Sequence, residues 1–132
     1  MLMRIPSLVL AAAFTVTAST SFAENVRIAF IDPLSGPFAP VGQNLFNSFK
    51  TIAELSNQKQ WGGQNTVEIV GFDNKGSPQE SLIQLKAAID QGYRYITQGN
   101  GSGVALALID AINKHNDCLL YTSDAADEGL GV

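Results

Sequence analysis

Short apolar runs alternate with longer stretches in which apolar residues recur every three or four positions, and this alternation organises the chain from residue 26 to about residue 115. Residues 26–31 (VRIAFI) form a β-branched, apolar run that predicts a buried strand. It opens into a Pro/Gly-rich loop, residues 32–41. A helix is expected near 43–58, with Leu45, Phe49, Ile52 and Leu55 or Ser56 as its inner stripe. Trp61-Gly62-Gly63 closes that helix, with Trp61 expected as a packing anchor. A second strand, 66–72, ends at the turn-forming cluster Asp73-Asn74-Lys75-Gly76. Ser77 then reads as an N-cap, Pro78 as N1 and Glu80 as N3, a capping box that opens a second helix. Leu82, Leu85 and Ile89 are its expected buried stripe, with Ala88 beside them, and Gly92 is its stop. A third strand over 93–97 leads through 98–103 into a third helix, expected to reach about His115 and to bury some of Val104, Leu108, Ile109 and Ile112.

Strands alternating with helices of this length predict an α/β fold: βαβ units around a parallel sheet, a Rossmann-like three-layer sandwich. Right-handed crossovers are expected. In such sheets ligands bind beyond the carboxyl ends of the strands, near the topological switch point. The loops 32–41, 73–77 and 98–103 all fall at that end.

The N-terminal segment has a different pattern. Arg4, the apolar run 8–16 and Ser21-Phe22-Ala23 have the order of a cleavable export signal, residues 1–23. The apolar core is too short to span a bilayer, and no cysteine stands at the cleavage site to carry a lipid anchor. A periplasmic protein of a Gram-negative cell is the expectation. The formal charge of -4, with scattered basic residues, argues against nucleic acid and anionic membrane surfaces as partners. The single cysteine, Cys118, permits no internal disulfide.

Gly99-Asn100-Gly101-Ser102-Gly103 is the most chemically suggestive stretch. Glycines let a ligand approach the backbone, and a helix N-terminus offers N–H groups and partial positive charge to a carboxylate or phosphate. No Gly-Lys-Ser/Thr follows, so it is not a Walker loop. Ser102 is either a helix cap or a ligand donor, and the two roles are compatible. Asp32, before Pro33, and Asp73 are expected to shape their turns as Asx residues rather than to act as acids or metal ligands. His115 is expected as a solvated residue at a helix C-terminus. No catalytic Ser/His/Asp, Cys/His or paired-carboxylate arrangement can be assembled, and no metal or cofactor is expected.

The order strand, Pro33-Leu34-Ser35-Gly36-Pro37-Phe38-Ala39, Gly42, amphipathic helix, strand ending in Asp73, Ser77-Pro78 helix, Gly92-Tyr93-Arg94-Tyr95-Ile96 and a Ser/Gly loop resembles the leucine/branched-chain amino acid-binding proteins of ABC transporters, which are type I periplasmic binding proteins. The resemblance spans about residues 26–116. It implies two Rossmann-like lobes closing on a solute about a hinge, with residues 24–117 as part of the N-terminal lobe. It also implies a carboxylate-binding serine at Ser102, helped by the N–H groups of Gly101 and Gly103, and places Val41 where relatives often carry an aromatic residue over the ligand. The cysteine pair of some members is missing, so their disulfide is not expected. The implied function is non-enzymatic: capture of an amino acid, branched-chain type, or a similar small carboxylate for an inner-membrane ABC permease. A ligand sensor of the same fold, or an exported α/β enzyme, is the alternative.

From Cys118 the helical pattern gives way with no turn or strand signal. The string CLLYTSDAADE matches the translation of a transposase mosaic end and the sequencing adapter behind it: TGT CTC TTA TAC ACA TCT encodes Cys118 to Ser123, and GAC GCT GCC GAC GA encodes Asp124 to Asp127 and opens Glu128. Residues 118–132 are therefore expected to be adapter-derived, and the acidic cluster there is left out of site reasoning.

Overall fold

The computed structural model describes residues 23–114 and 118–122. Residues 1–22 of the expected export signal, residues 115–117 with His115, and everything from Ser123 onward lie outside the described residues. Strands and helices alternate as β1 (Asn25–Asp32), α1 (Ala39–Lys59), β2 (Thr66–Asp73), α2 (Pro78–Asp90), β3 (Tyr95–Gln98), α3 (Ser102–Ile112) and β4 (Leu119–Thr122). The strands form one parallel sheet in the order β2-β1-β3-β4. This is the expected α/β architecture.

Both faces of the sheet are covered, and β1 shows how. Ala29 and Ile31 point into a core completed by Leu85 and Ala88 of α2 and Val104, Leu108 and Ile112 of α3. Phe30 points the other way, into a core with Ala53 and with Leu45, Phe46 and Phe49 of α1. The Phe30 ring lies 5.5 Å from the ring centroids of both Phe46 and Phe49, so α1 is held to the sheet by an aromatic cluster. The two-residue period of the strand thus feeds both layers at once.

Several expectations need correction. α1 starts at Ala39, four residues before the anticipated Gln43, because Pro40 in its first turn is already compatible with helix. Within that turn Gly42 packs so closely on the preceding loop that an added Cβ would lie 1.9 Å from the Pro33 carbonyl oxygen. The inner face of α1 is Leu45, Phe46, Phe49 and Ala53. Ile52 and Leu55 are exposed, as are Leu82 of α2 and Trp61. Trp61 follows Gln60, which is in the left-handed conformation and turns the chain away from the core. On α2 the buried positions are Ser81, Leu85 and Ala88. The capping box is half formed: Ser77 Oγ accepts from Glu80 N at 3.3 Å, while Glu80 Oε1 accepts from Gln84 Nε2 at 3.0 Å.

β4 is the larger surprise, since no strand was expected at 119–122. Leu-Leu-Tyr-Thr has strand-forming side chains, and it pairs in register with the whole of β3, from Tyr95↔Leu119 to Gln98↔Thr122. Leu119 and Tyr121 remain exposed.

Candidate functional site

A parallel sheet brings the loops after β1, β2 and β3 to one rim. β1 leads to α1 on one face and β3 leads to α3 on the other, so the chain diverges between these two neighbouring strands. That is the topological switch point, where open α/β sheets hold their ligands.

On one side of this crevice α3 begins. Its N-cap is Gly101, with φ 88°, and no side chain caps the helix. The Gly101 carbonyl accepts from Val104 N and Ala105 N, both at 3.0 Å. Ser102 is the first helical residue, so the capping role open to it on sequence grounds is excluded by its position. Gly101, Ser102 and Gly103 are all exposed, which leaves the positive end of the α3 dipole accessible to an anion. Across the crevice, in the first turn of α1, Val41 is 52% exposed.

Two carboxylates underlie this rim. Asp73, at the end of β2, reaches across to the loop after β1: its Oδ1 accepts from Leu34 N at 2.9 Å and Ser35 N at 3.2 Å, and its Oδ2 from Ser35 Oγ. It also accepts from Lys75 N at 3.0 Å, the Asx contact expected of it. Burial pulls its pKa upward, but the hydrogen bonds from Ser35, Lys75 and Leu34 together outweigh this and hold it below the usual carboxylate value.

Asp32, at the end of β1, departs from the expected Asx turn. It is completely buried and reaches to the loop after β3. Oδ1 accepts from Asn100 N at 3.0 Å and Gly99 N at 3.4 Å, and Oδ2 from Asn100 Nδ2 at 2.7 Å. Here desolvation wins over those bonds, and the pKa is raised. Beneath the same loop the Gln98 Nε2 donates to the carbonyls of Asn100 and Gly101, while its buried Oε1 has no partner among the described residues.

Sequence reading singled out the loops but missed that their geometry is imposed by aspartates on neighbouring strands. The available signal was positional: Asp32 and Asp73 each end a predicted strand. Among the described residues no cluster of His, Cys, Asp and Glu could hold a metal ion, and no helix is long and apolar enough to cross a membrane.

A parallel sheet with an accessible helix N-terminus at its switch point defines an α/β domain suited to holding a small ligand at the carboxyl ends of its strands. The chain belongs to the periplasmic binding proteins, the family whose sequence profile matches residues 25–131. It is 34% identical over 101 residues to the Leu/Ile/Val-binding protein homolog 4 of Brucella abortus (strain 2308), an alignment covering 75% of this chain and 24% of that protein. The closed leucine-, isoleucine-, valine-, threonine- and alanine-binding protein of Brucella ovis superposes with a TM-score of 0.61 at 31% identity, covering 74% of this chain and 27% of that one. A solute-binding protein of an R. palustris ABC transporter, in complex with 4-hydroxybenzoate, gives 0.58 at 25% identity over 74% and 26%. The chain spans about a quarter of the length of the curated relatives it matches.

Proposed function

We propose that this chain forms part of the N-terminal lobe of an exported solute receptor. The receptor captures an amino acid of the branched-chain type, or a similar small carboxylate, and delivers it to an inner-membrane ABC permease without chemical change. The observation that carries this reading is the exposed Gly101–Gly103 segment, which opens α3 beside the switch-point crevice. Ser102 and the first N–H groups of α3 receive the ligand carboxylate, and Val41 supplies a modest apolar contact from the opposite side. The names of the relatives support it, since branched-chain amino acids and 4-hydroxybenzoate are both small carboxylates. A second lobe closing about a hinge completes the site.

The test is a titration of the isotope-labelled chain with leucine, 4-hydroxybenzoate and leucinamide, following the amides of residues 101–105. Shifts with the acids and none with leucinamide are expected, at weak affinity because one lobe supplies only part of the contacts. Equal shifts with leucinamide, or none with either acid, would remove the carboxylate-binding reading.

Two further assignments belong to this proposal. Residues 1–23 direct export and are removed, which N-terminal sequencing of the exported protein checks. Residues 118–132 derive from a sequencing adapter rather than the gene. Any short string with strand-forming side chains could occupy the edge of β3 as β4 does, and resequencing the locus checks the assignment.

A further inference from the structure

The loop that opens α3 spends its backbone donors in two groups. Gly99 N and Asn100 N both turn inward to the Asp32 carboxylate, and the Asn100 side chain turns with them. Gly101, Ser102 and Gly103 follow at once and face outward. The turn between these groups is abrupt, and Gly101, at φ 88°, makes it. Gly99 permits the close approach: a Cβ there would lie 2.8 Å from Leu45 Cδ1 and 3.4 Å from Asp32 Oδ2.

An unpaired buried carboxylate is costly, and two backbone N–H groups at the base of a loop would otherwise need water. Each therefore satisfies the other, and the outward residues are fixed in place as a result. From the opposite direction Gln98 Nε2 holds the carbonyls of Asn100 and Gly101. Four successive peptide units are thus tied down, the first two through their donors and the next two through their acceptors.

We infer that Asp32 and Asn100 form a latch that positions the anion-binding end of α3, with Asp32 acting as a positioning residue for a ligand it does not touch. The inference rests on the carboxylate-binding reading above for its functional meaning, but the latch itself can be tested without a ligand. Its distinctive feature is polarity: one side chain accepts and the other donates, so exchanging the two residues preserves the bond. In the variant D32N/N100D the carboxamide now at position 32 donates to the carboxylate now at position 100, and the carboxamide oxygen still accepts from the backbone.

The experiment compares wild type, D32N, N100D and D32N/N100D by amide hydrogen exchange and by titration with sodium acetate. N100D sets two carboxylates face to face, whereas D32N removes the charge and leaves a neutral amide–amide bond once the Asn100 amide turns its oxygen toward position 32. N100D is expected to speed exchange at residues 99–103 by about tenfold, the scale of one hydrogen bond to a charged acceptor, and D32N by less. Exchange at Leu85 and Ile69 should change by less than about twofold. The double variant should recover most of the loss, and acetate shifts at residues 101–105 should weaken and return in the same pattern.

Uniform acceleration across the fold, or no recovery in the double variant, overturns the latch and leaves Asp32 a purely structural group. If a single variant does not fold, N100A, at a half-buried position, replaces it; unchanged exchange at 99–103 in N100A likewise overturns the latch. Rescue of exchange with no acetate shift in any protein keeps the latch and removes the ligand reading. Acetate shifts that are the same in all four proteins keep the ligand reading and remove the latch.

Discussion

Asp32 and Asp73 end neighbouring strands and are direct partners in the β1–β2 register, yet they meet opposite fates. Each sends its carboxylate one loop across the sheet, Asp73 from β2 to the loop after β1, Asp32 from β1 to the loop after β3. Asp73 sits at the outer strand, partly exposed, and gathers enough donors to be a comfortable anion. Asp32 sits at the central strand with 0% exposure, and its three donors do not make up for lost hydration. The contrast sets burial against hydrogen bonding: Asp73 has four donors and some solvent, Asp32 three donors and none. The edge position of β2 leaves Asp73 partly open to water, whereas β1 lies between two strands.

The sharpest way to break the comparison is to truncate both residues. Asp32→Ala is expected to cost about 3 kcal/mol, because two backbone amides and the Asn100 side chain lose a buried acceptor that water cannot easily replace. Asp73→Ala should cost about 1 kcal/mol, since water reaches the freed amides. Chemical denaturation measures both; equal losses would erase the distinction between them.

The pH dependence should differ in sign. A carboxyl whose folded pKa is depressed stabilises the fold above its unfolded pKa, and that stability is lost as pH falls through the folded value. Asp73 behaves this way. Asp32, raised in the fold, has the reverse effect: the fold loses stability as pH rises from the unfolded value through the folded one. Subtracting the stability of D73N from wild type between about pH 3 and 7 should give a difference that grows with pH, and subtracting D32N one that shrinks. Parallel slopes would refute the assignment. The smallest effect is expected at Ser35→Ala, about 0.5 kcal/mol, because the Ser35 hydroxyl lies on the exposed side of Asp73. A thermal melt that shifts as far as that of Asp73→Ala would mean this one bond carries the whole contact.

What could be read from the chain beforehand follows the same division between local and distant causes. The Ser77 cap was legible because its partner, Glu80 N, is three residues away. The strand runs were legible because burial on both faces demands unbroken apolar stretches. Ile52, Leu55 and Leu82 were misjudged because periodicity marks an apolar stripe without saying how much of its width the sheet will cover. Trp61 was misjudged because a left-handed residue at position 60 redirects the chain. The partners of Asp32 were illegible, since they lie 67 and 68 positions away; only its place at a strand end was visible. Ser102 was correctly placed at the start of a helix, but whether it was cap or first residue depended on Gly101.

That separation in sequence also sets an order in time. The Asp32–Asn100 contact closes a loop of 68 residues, whereas the hairpin-free β1–β2 pair forms across about forty. Closing the longer loop costs more chain entropy before any contact repays it. As the chain emerges, β1 can pair with β2 and dock α1 well before β3 arrives. The rim at α3 needs β3, so a chain halted before that strand docks would have β1 paired with β2 and none of its grip.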